Sequence, residues 1–395
     1  MYRLNSRVTG VVLLAVACMH SGCGTLPVRN PVPLELLHEA QVPGIPDARV
    51  LNVFFGDPIP ESLINGVVAR AKTLDRPISL LAISGGGARG AFGAGVLYGW
   101  SKAGTRPEFD IVTGVSTGAL ISPFAFIGAD YDEDLHKSYT SMSDEDIYKR
   151  RGIFAILRRR DAVADDAPLR AYIDAAITPE LLAAVAKAHE QGRRLFVGTT
   201  HMDAQMLSIW NMGAIAASGH PNAHRVFCDV LLASASIPVT FPPKYFTVEA
   251  GGEQFDEMHC DGGVSTQVFG AALLAEVVER SSGKDGRLFV IRNGVQMPEW
   301  LEVRPTILGI ATRSTSSLIK AQSYGDMYRM YLVAKEDNLD FNLAIIPESF
   351  SQKPNSEFDQ AYMQALFDLG RAMAFEGRAW QKAPPGHLPL ATAGN

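Results

Sequence analysis

Cysteine is scarce, with four residues in 395, and two of them, Cys18 and Cys23, fall in the first 23 positions. Only Cys228 and Cys260 remain beyond that, either as two buried thiols, the plainer expectation, or as a single pair in an oxidising compartment. The nearest histidines, His224 and His259, form no zinc-ligand spacing with them, so no metal is expected. A basic excess is also lacking: 36 Lys and Arg face 42 Asp and Glu, for a net charge of -6, which disfavours a nucleic-acid partner. No run beyond the N-terminus is long and apolar enough to cross a bilayer, and no internal repeat is found. What is present in quantity is hydrophobic residue, 47% against 20% charged, the composition of a folded chain with ample core.

The first stretch reads as export machinery. Arg3 and Arg7 precede an apolar run over residues 8–18, and the small residues Ser21 and Gly22 precede Cys23. The pattern resembles a bacterial lipoprotein signal, which implies acylation of Cys23 and a lipid-anchored, exported protein. Cys18 is a second candidate, and a cleaved secretory or periplasmic soluble form is the alternative. Gly24, where an inner-membrane retention signal carries Asp, implies the outer membrane. Removing residues 1–22 takes away two arginines and no acid, so the charge becomes 34 minus 42, or -8.

Four further parts are expected along the chain. Residues 1–22 are the signal, and residues 23–75 are a proline-rich tether with a helical lead-in over 61–74. Residues 76–380 are the main domain, and 381–395 are a loose tail. Within the domain, a strand over 78–84 ends in Gly85-Gly86-Gly87, a small-residue helix covers 88–102, a strand covers 110–115, and an almost wholly apolar helix covers 119–127. Further helices are expected at 179–191, 224–235 and 358–375. Further strands are expected at 194–200, 205–211, up to 261, and at 288–292 and 341–346. Strands alternating with helices predict an α/β class with a mostly parallel central sheet.

Chemistry concentrates at the C-terminal ends of the first two strands. Ser116 sits in Gly114-Val115-Ser116-Thr117-Gly118, the pattern of a nucleophile elbow, where flanking glycines leave room for a tight strand-to-helix turn. Gly85, Gly86 and Gly87 end the neighbouring strand, so their amides and that of Thr117 face a common point as oxyanion donors. Arg89, just inside the next helix, either adds positive charge there or to an anionic headgroup, or is simply solvated.

Other readings compete. Gly85-Gly86-Gly87-Ala88-Arg89-Gly90 is also a literal GxGxxG, the turn of a dinucleotide-binding module. Such a module needs an acid at the end of its second strand; Asp110 begins that strand, and Ser116 occupies the required place. For the base, Asp261 in Asp261-Gly262-Gly263 follows a strand directly. A triad of His259 with Asp203 or Asp229 is open on chain order, whereas His387 lies in the tail. Ser234 and Ser236 read as a small-residue helix end, and the stretch 301–336 is assigned either to an acyl pocket or to a membrane-facing surface.

Taken together, the glycine block through Gly90, the Gly114 to Gly118 block, Ala233-Ser234-Ala235-Ser236-Ile237-Pro238 with Phe241-Pro242-Pro243, and Asp261-Gly262-Gly263 resemble the patatin-like phospholipases in order. The resemblance implies a three-layer α/β/α fold, a Ser116-Asp261 dyad without a catalytic histidine, no metal or cofactor, and ester-bearing lipids or phospholipids as substrates. A departure follows the aspartate, where members carry asparagine and then proline and this chain has Gln267, Val268 and Phe269. The intact serine, glycines and aspartate argue against a non-catalytic lipid- or partner-binding lipoprotein.

Overall fold

The computed structural model describes residues 28–51, 59–150, 162, 164–281, 284–296 and 299–386. Cys18, Cys23 and His387 therefore lie outside the described residues.

The sheet is built outward from two strands, β2 (Ile78–Ile83) and β3 (Ile111–Val115), every residue of which is buried. Continuous apolar runs of this kind are covered on both faces, as parallel strands are. Strand β1 (Arg49–Leu51) comes before them in the chain, and a two-residue pair, β4 (Lys149–Arg150) with β5 (Ala164–Asp165), forms a small separate ribbon. The remaining strands are β6 (Arg194–His201), β7 (Met206–Asn211), β8 (Lys244–Ala250), β9 (Glu253–Asp261), β10 (Gly286–Val295) and β11 (Asp340–Ile346). The sheet order is β1-β7-β6-β3-β2-β10-β11, with β9 also paired to β6 and β8 to β9. From β6 across to β11 every pairing is parallel, and the antiparallel pairs gather at the other side.

Helices cover both faces and make two separate cores. On one face lie α1 (Glu61–Thr73), α10 (Ala271–Arg280) and the second half of α11 (Ile307–Glu336), packed through Leu63, Leu274 and Met330. On the other lie α2 (Gly90–Lys102), α3 (Thr117–Ile127), α7 (Pro179–Glu190), α9 (Ala223–Ser234) and α12 (Gln360–Phe375), packed through Phe92, Ile121, Val185, Phe227 and Phe367. Smaller helices α4 (Asp132–Thr140), α5 (Asp144–Ile147), α6 (Ala167–Ala176) and α8 (Met212–Ala217) join this layer. The result is a three-layer α/β/α fold.

Two expectations are corrected. The supposed tether is packed where it is described: Val32, Leu37 and Ala40 bury against Val248 and Phe255 of the β8–β9 hairpin, and Gln41 bridges to Glu249. Its prolines are interspersed with apolar side chains, and these find a core. The tail is also docked as far as it is described, since Gln381 bridges to Leu343 and the Pro385 carbonyl accepts from Gln296 and Tyr328.

Candidate active site

Ser116 occupies the turn between β3 and α3 with φ +55° and ψ -126°, a conformation that costs a non-glycine residue on the order of 1–3 kcal/mol. The surroundings hold it there. Its amide donates to Ser234 Oγ at 2.9 Å, and Ser234 Oγ in turn donates to the Gly198 carbonyl on β6 at 2.7 Å. Glycines at 114 and 118 are required by space: a Cβ on Gly118 would lie 2.2 Å from the Ile83 carbonyl oxygen, and one on Gly114 2.5 Å from that of Gly118. The side chain of Ser116 is left 6% exposed at the floor of a cavity of about 440 Å³.

Asp261 ends β9, two strands away in the sheet but adjacent in space, because Thr199 on β6 pairs with it while Val115 on β3 pairs with Gly198. Its amide donates to the Ser236 carbonyl at 2.9 Å, and the Gly263 amide donates to its Oδ1 at 2.7 Å. A Cβ on Gly262 would strike the Gly198 carbonyl oxygen at 2.2 Å, so only glycine lets the chain turn here. The carboxyl is 2% exposed. Burial pushes its pKa up to about 6, against the pull of hydrogen bonds from the Ser116 hydroxyl and the Gly263 amide.

Gly85, Gly86 and Gly87 form the opposite wall of the cavity, with Gly85 close enough that a Cβ there would lie 3.0 Å from that of Ser116. Gly87 has φ +57°, in the left-handed region that favours glycine. Among the described residues, the amides of Gly86, Gly87 and Thr117 donate to no protein acceptor. Thr117 turns its hydroxyl away to Tyr139, 2.6 Å distant, and Gly90 packs against that pair.

Arg89 does not aim at the serine. Its guanidinium pairs with Glu299, and its Nε donates to the Tyr362 hydroxyl at 3.3 Å. Lys320 reaches the other oxygen of Glu299 at 3.1 Å, so the three close one rim of the cavity. Burial raises the Glu299 carboxyl, but Arg89 and Lys320 hold it below its ordinary value. Arg89 is thus neither a solvated side chain nor an oxyanion donor in this arrangement.

Several residues of the site carried no local signal. Asn293, on β10, donates from its amide to Ser84 Oγ and from Nδ2 to the Ser84 carbonyl, both at 2.9 Å, and accepts from the Gly93 amide at 3.0 Å. Arg292, half-buried and pulled down to about 10 by desolvation and by Arg89, donates to the Gly85 carbonyl at 3.2 Å. Together they fix the glycine loop from the strand beside it. Gln267 lies over Gly263 and Gly85, with its amide donating to Asp326 on α11 at 2.7 Å. It fills the space behind Asp261.

The competing constellations are not assembled. His259 is fully buried, with Nδ1 at 2.8 Å from Thr199 Oγ1 and Nε2 at 3.2 Å from Glu257. Asp203 instead pairs with Arg29, and Asp229 with Arg170. Asp110 pairs with Arg76 at the start of β3, the far end of the sheet from the glycine loop. Two groups have metal-ligand chemistry among the described residues: His201, Glu257 and His259, and Asp174, His224 and Cys228. In each the carboxylate is already held by an arginine, Arg49 on Glu257 and Arg170 on Asp174, which a cation would have to displace. Cys228 and Cys260 are buried free thiols, both pushed up to about 12 by burial.

The model of the patatin-like phospholipase family matches residues 81–271, a span that runs from β2 through the glycine loop, Ser116 and Asp261 to the start of α10. Those residues are a patatin-like phospholipase domain. No curated protein matches the chain. Among solved structures the chain is similar to VipD from Legionella pneumophila, at 12% identity over 77% of this chain and 67% of that one, with a TM-score of 0.39. It is also similar to human GIVD cytosolic phospholipase A2, at 9% identity over 76% of this chain and 50% of that one, with a TM-score of 0.31. The chain thus spans about half the length of the human enzyme.

Proposed function

We propose that the chain is a serine acyl hydrolase acting on lipid esters, with Ser116 as nucleophile and Asp261 as its sole base. The observation that carries this reading is the strained Ser116 turn and the buried Asp261 carboxyl facing one cavity beside the glycine loop, with the serine hydroxyl among the groups that act on that carboxyl. Asp261 takes the hydroxyl proton as Oγ attacks the ester carbonyl carbon. The resulting oxyanion lies toward the free amides of Gly86, Gly87 and Thr117, which become hydrogen-bonded only as that charge develops. Collapse expels the alcohol, whose oxygen takes the proton back from Asp261. Water then attacks the acyl-Ser116 ester, giving its proton to the same carboxylate, and collapse releases the carboxylic acid as Asp261 returns that proton to Ser116 Oγ.

A carboxylate is a weak base for a hydroxyl, and burial brings Asp261 closer to the task by raising its affinity for the proton. Esters, whose leaving alcohol needs less assistance than an amine, are therefore the expected substrates. A further part of the proposal concerns location. The N-terminal pattern supports acylation at Cys23 and a domain held at a membrane surface, which palmitate labelling lost in Cys23→Ser and retained in Cys18→Ser would test.

The activity is tested with a soluble short-chain chromogenic ester and a labelled phospholipid. Loss of hydrolysis in Ser116→Ala and Asp261→Asn, with retention in His259→Ala, is expected. Loss in all three would favour a histidine-dependent site, and a folded parent inert on every ester would favour a lipid-binding protein.

A further inference from the structure

Exposed apolar side chains are concentrated in one place. Of the fourteen large hydrophobic residues exposed among the described residues, seven fall between positions 300 and 318. Trp300 is 87% exposed and Ile307 91%. Scattered exposed hydrophobics are ordinary, but a contiguous cluster marks an interaction surface.

The first half of α11 carries part of this cluster on the side away from the cavity. At 100° per residue, Ile307, Ile310 and Leu318 fall within a sector of roughly 80°, and they are exposed. Thr312, Thr315 and Ser316 fall in a sector centred roughly 150° away, and they line the cavity above Ser116. A helix packed on a water-soluble domain puts its apolar stripe inward. The second half of α11 does so, burying Met327, Met330 and Tyr331. The first half instead leaves Ile307, Ile310 and Leu318 exposed on the side away from the cavity, with Ser314 among them, while Ile319 joins the hydroxyls that line the site.

Charge narrows the occupant. Between residues 299 and 320 there are two acids and three bases: Lys320 bonds the Glu299 carboxylate, Arg313 donates to the Glu299 backbone carbonyl, and Glu302 and Arg304 carry opposite charges. The patch is close to neutral. It is also continuous with the cavity rim through the helix that forms both.

We propose that the outward stripe of α11, with Trp300 and Leu301 beside it, is a docking surface for a zwitterionic phospholipid bilayer, which it enters by apolar insertion. This rests on the lipid hydrolase reading: a substrate with insoluble acyl chains has to leave the membrane where the cavity opens. Docking on this stripe sets the hydroxyl-lined face of α11 between the bilayer and Ser116. Trp300 sits at the interface level, where an indole has one apolar and one wet side.

The test uses the full chain with Cys18→Ser and Cys23→Ser, so that no acyl anchor can hold it, and phosphatidylcholine vesicles carrying a brominated acyl chain. The chain is expected to co-sediment with the vesicles, with Trp fluorescence quenched. Trp300→Phe is expected to bind while losing most of that quenching, because Trp100 and Trp210 are buried and Trp380 is partly buried against Trp100 and Phe289, away from the stripe. Ile310→Asp with Leu318→Asp is expected to weaken vesicle binding at least about tenfold and to lower hydrolysis of vesicle phospholipid in parallel, with hydrolysis of the soluble ester unchanged. Binding is expected to persist between about 0.1 and 1 M salt, since screening acts on charges and not on apolar insertion.

A parent that ignores the vesicles, or a double variant that binds like the parent, overturns the proposal. So does a parent that is a dimer split by the double substitution, which would make the stripe a self-interface. Vesicle binding by a chain inert on the soluble ester would leave the docking surface standing and remove the hydrolase reading instead.

Discussion

The buried carboxyl that serves as base also weakens the fold, and Asp261→Asn measures by how much. In the unfolded chain an aspartyl group titrates near 3.8, whereas in the folded protein burial lifts Asp261 to about 6. Between those values the folded state binds the proton more tightly. Stability attributable to this group is therefore intact below about pH 4, declines as pH rises toward 6, and is fully lost above it. The shift of roughly two pKa units, at 1.36 kcal/mol each, sets that loss at about 3 kcal/mol. Asparagine has nearly the same shape and no charge. Its Oδ1 accepts from the Gly263 amide as Oδ1 of the aspartate does, and its Nδ2 can donate to Ser116 Oγ. The variant is expected to lose hydrolysis and to gain up to about 3 kcal/mol over the parent at pH 8, with the gain fading to near zero at pH 4. Urea unfolding followed by circular dichroism at both pH values reads it. A variant no more stable than the parent at pH 8, or a gain that does not change with pH, would refute the account of Asp261 as a desolvated carboxylate.

Hydrolysis of a soluble ester should rise with pH through an apparent pKa near 6 and then level off, because the ionised carboxylate is the active form; a profile flat from pH 5 to 8 would contradict a single carboxylate base. Ser234→Ala leaves the Ser116 amide and the Gly198 carbonyl without their shared partner, at a cost of about 1–3 kcal/mol of stability, and is expected to lower kcat more than it raises KM because the turn loses its hold. Acid should destabilise the fold separately: burial lowers His259 to about 4, so the stability it contributes disappears as pH falls from 6.5 toward 4, and Glu257, held at about 2 by His201, His259 and Arg49 despite its burial, adds a second loss below about 4.5. His259→Gln should flatten the first of these in a pH series of urea midpoints and shrink the second, because it removes one of the groups that hold the Glu257 carboxyl down while His201 and Arg49 remain.

What the sequence made legible is what sits within a few residues of its partner. The Ser116 turn, the glycine loop and the Asp261 turn are each local, and the fully apolar β2 and β3 placed two of them at one edge of the sheet. Strand β8 also has a legible period of two, since Phe246, Val248 and Ala250 alternate inward while Tyr245, Thr247 and Glu249 face out. Other features depend on contacts far along the chain. Asn293 and Arg292 reach Ser84 and Gly85 across more than 200 residues, and nothing near them distinguishes them from any polar residue late in a strand. The 30-residue helix α11 escaped for a different reason. Its first half is apolar on the side away from the protein, so its periodicity does not announce a packed helix.

The motif Ala233-Ser234-Ala235-Ser236 illustrates why reading a segment as a helix end and reading it as part of the site are compatible. Ser234 closes α9, yet its hydroxyl takes the Ser116 amide, and two residues on the Ser236 carbonyl takes the amide of Asp261. One turn of chain thus holds the nucleophile and the base from the same side. The spacing between Ser116 and Asp261 is then set by a single short segment and by β6, whose Gly198 carbonyl accepts from Ser234 while its Thr199 pairs with Asp261. Small residues are needed because α9, β6 and the Ser116 turn converge there: Ser234 and Ser236 are both essentially unexposed. A larger side chain at 234 would push the strained turn away from the carboxyl, and a backbone shift at 236 would move the carboxyl away from the turn. Either displacement would break the one contact that the proposed chemistry requires.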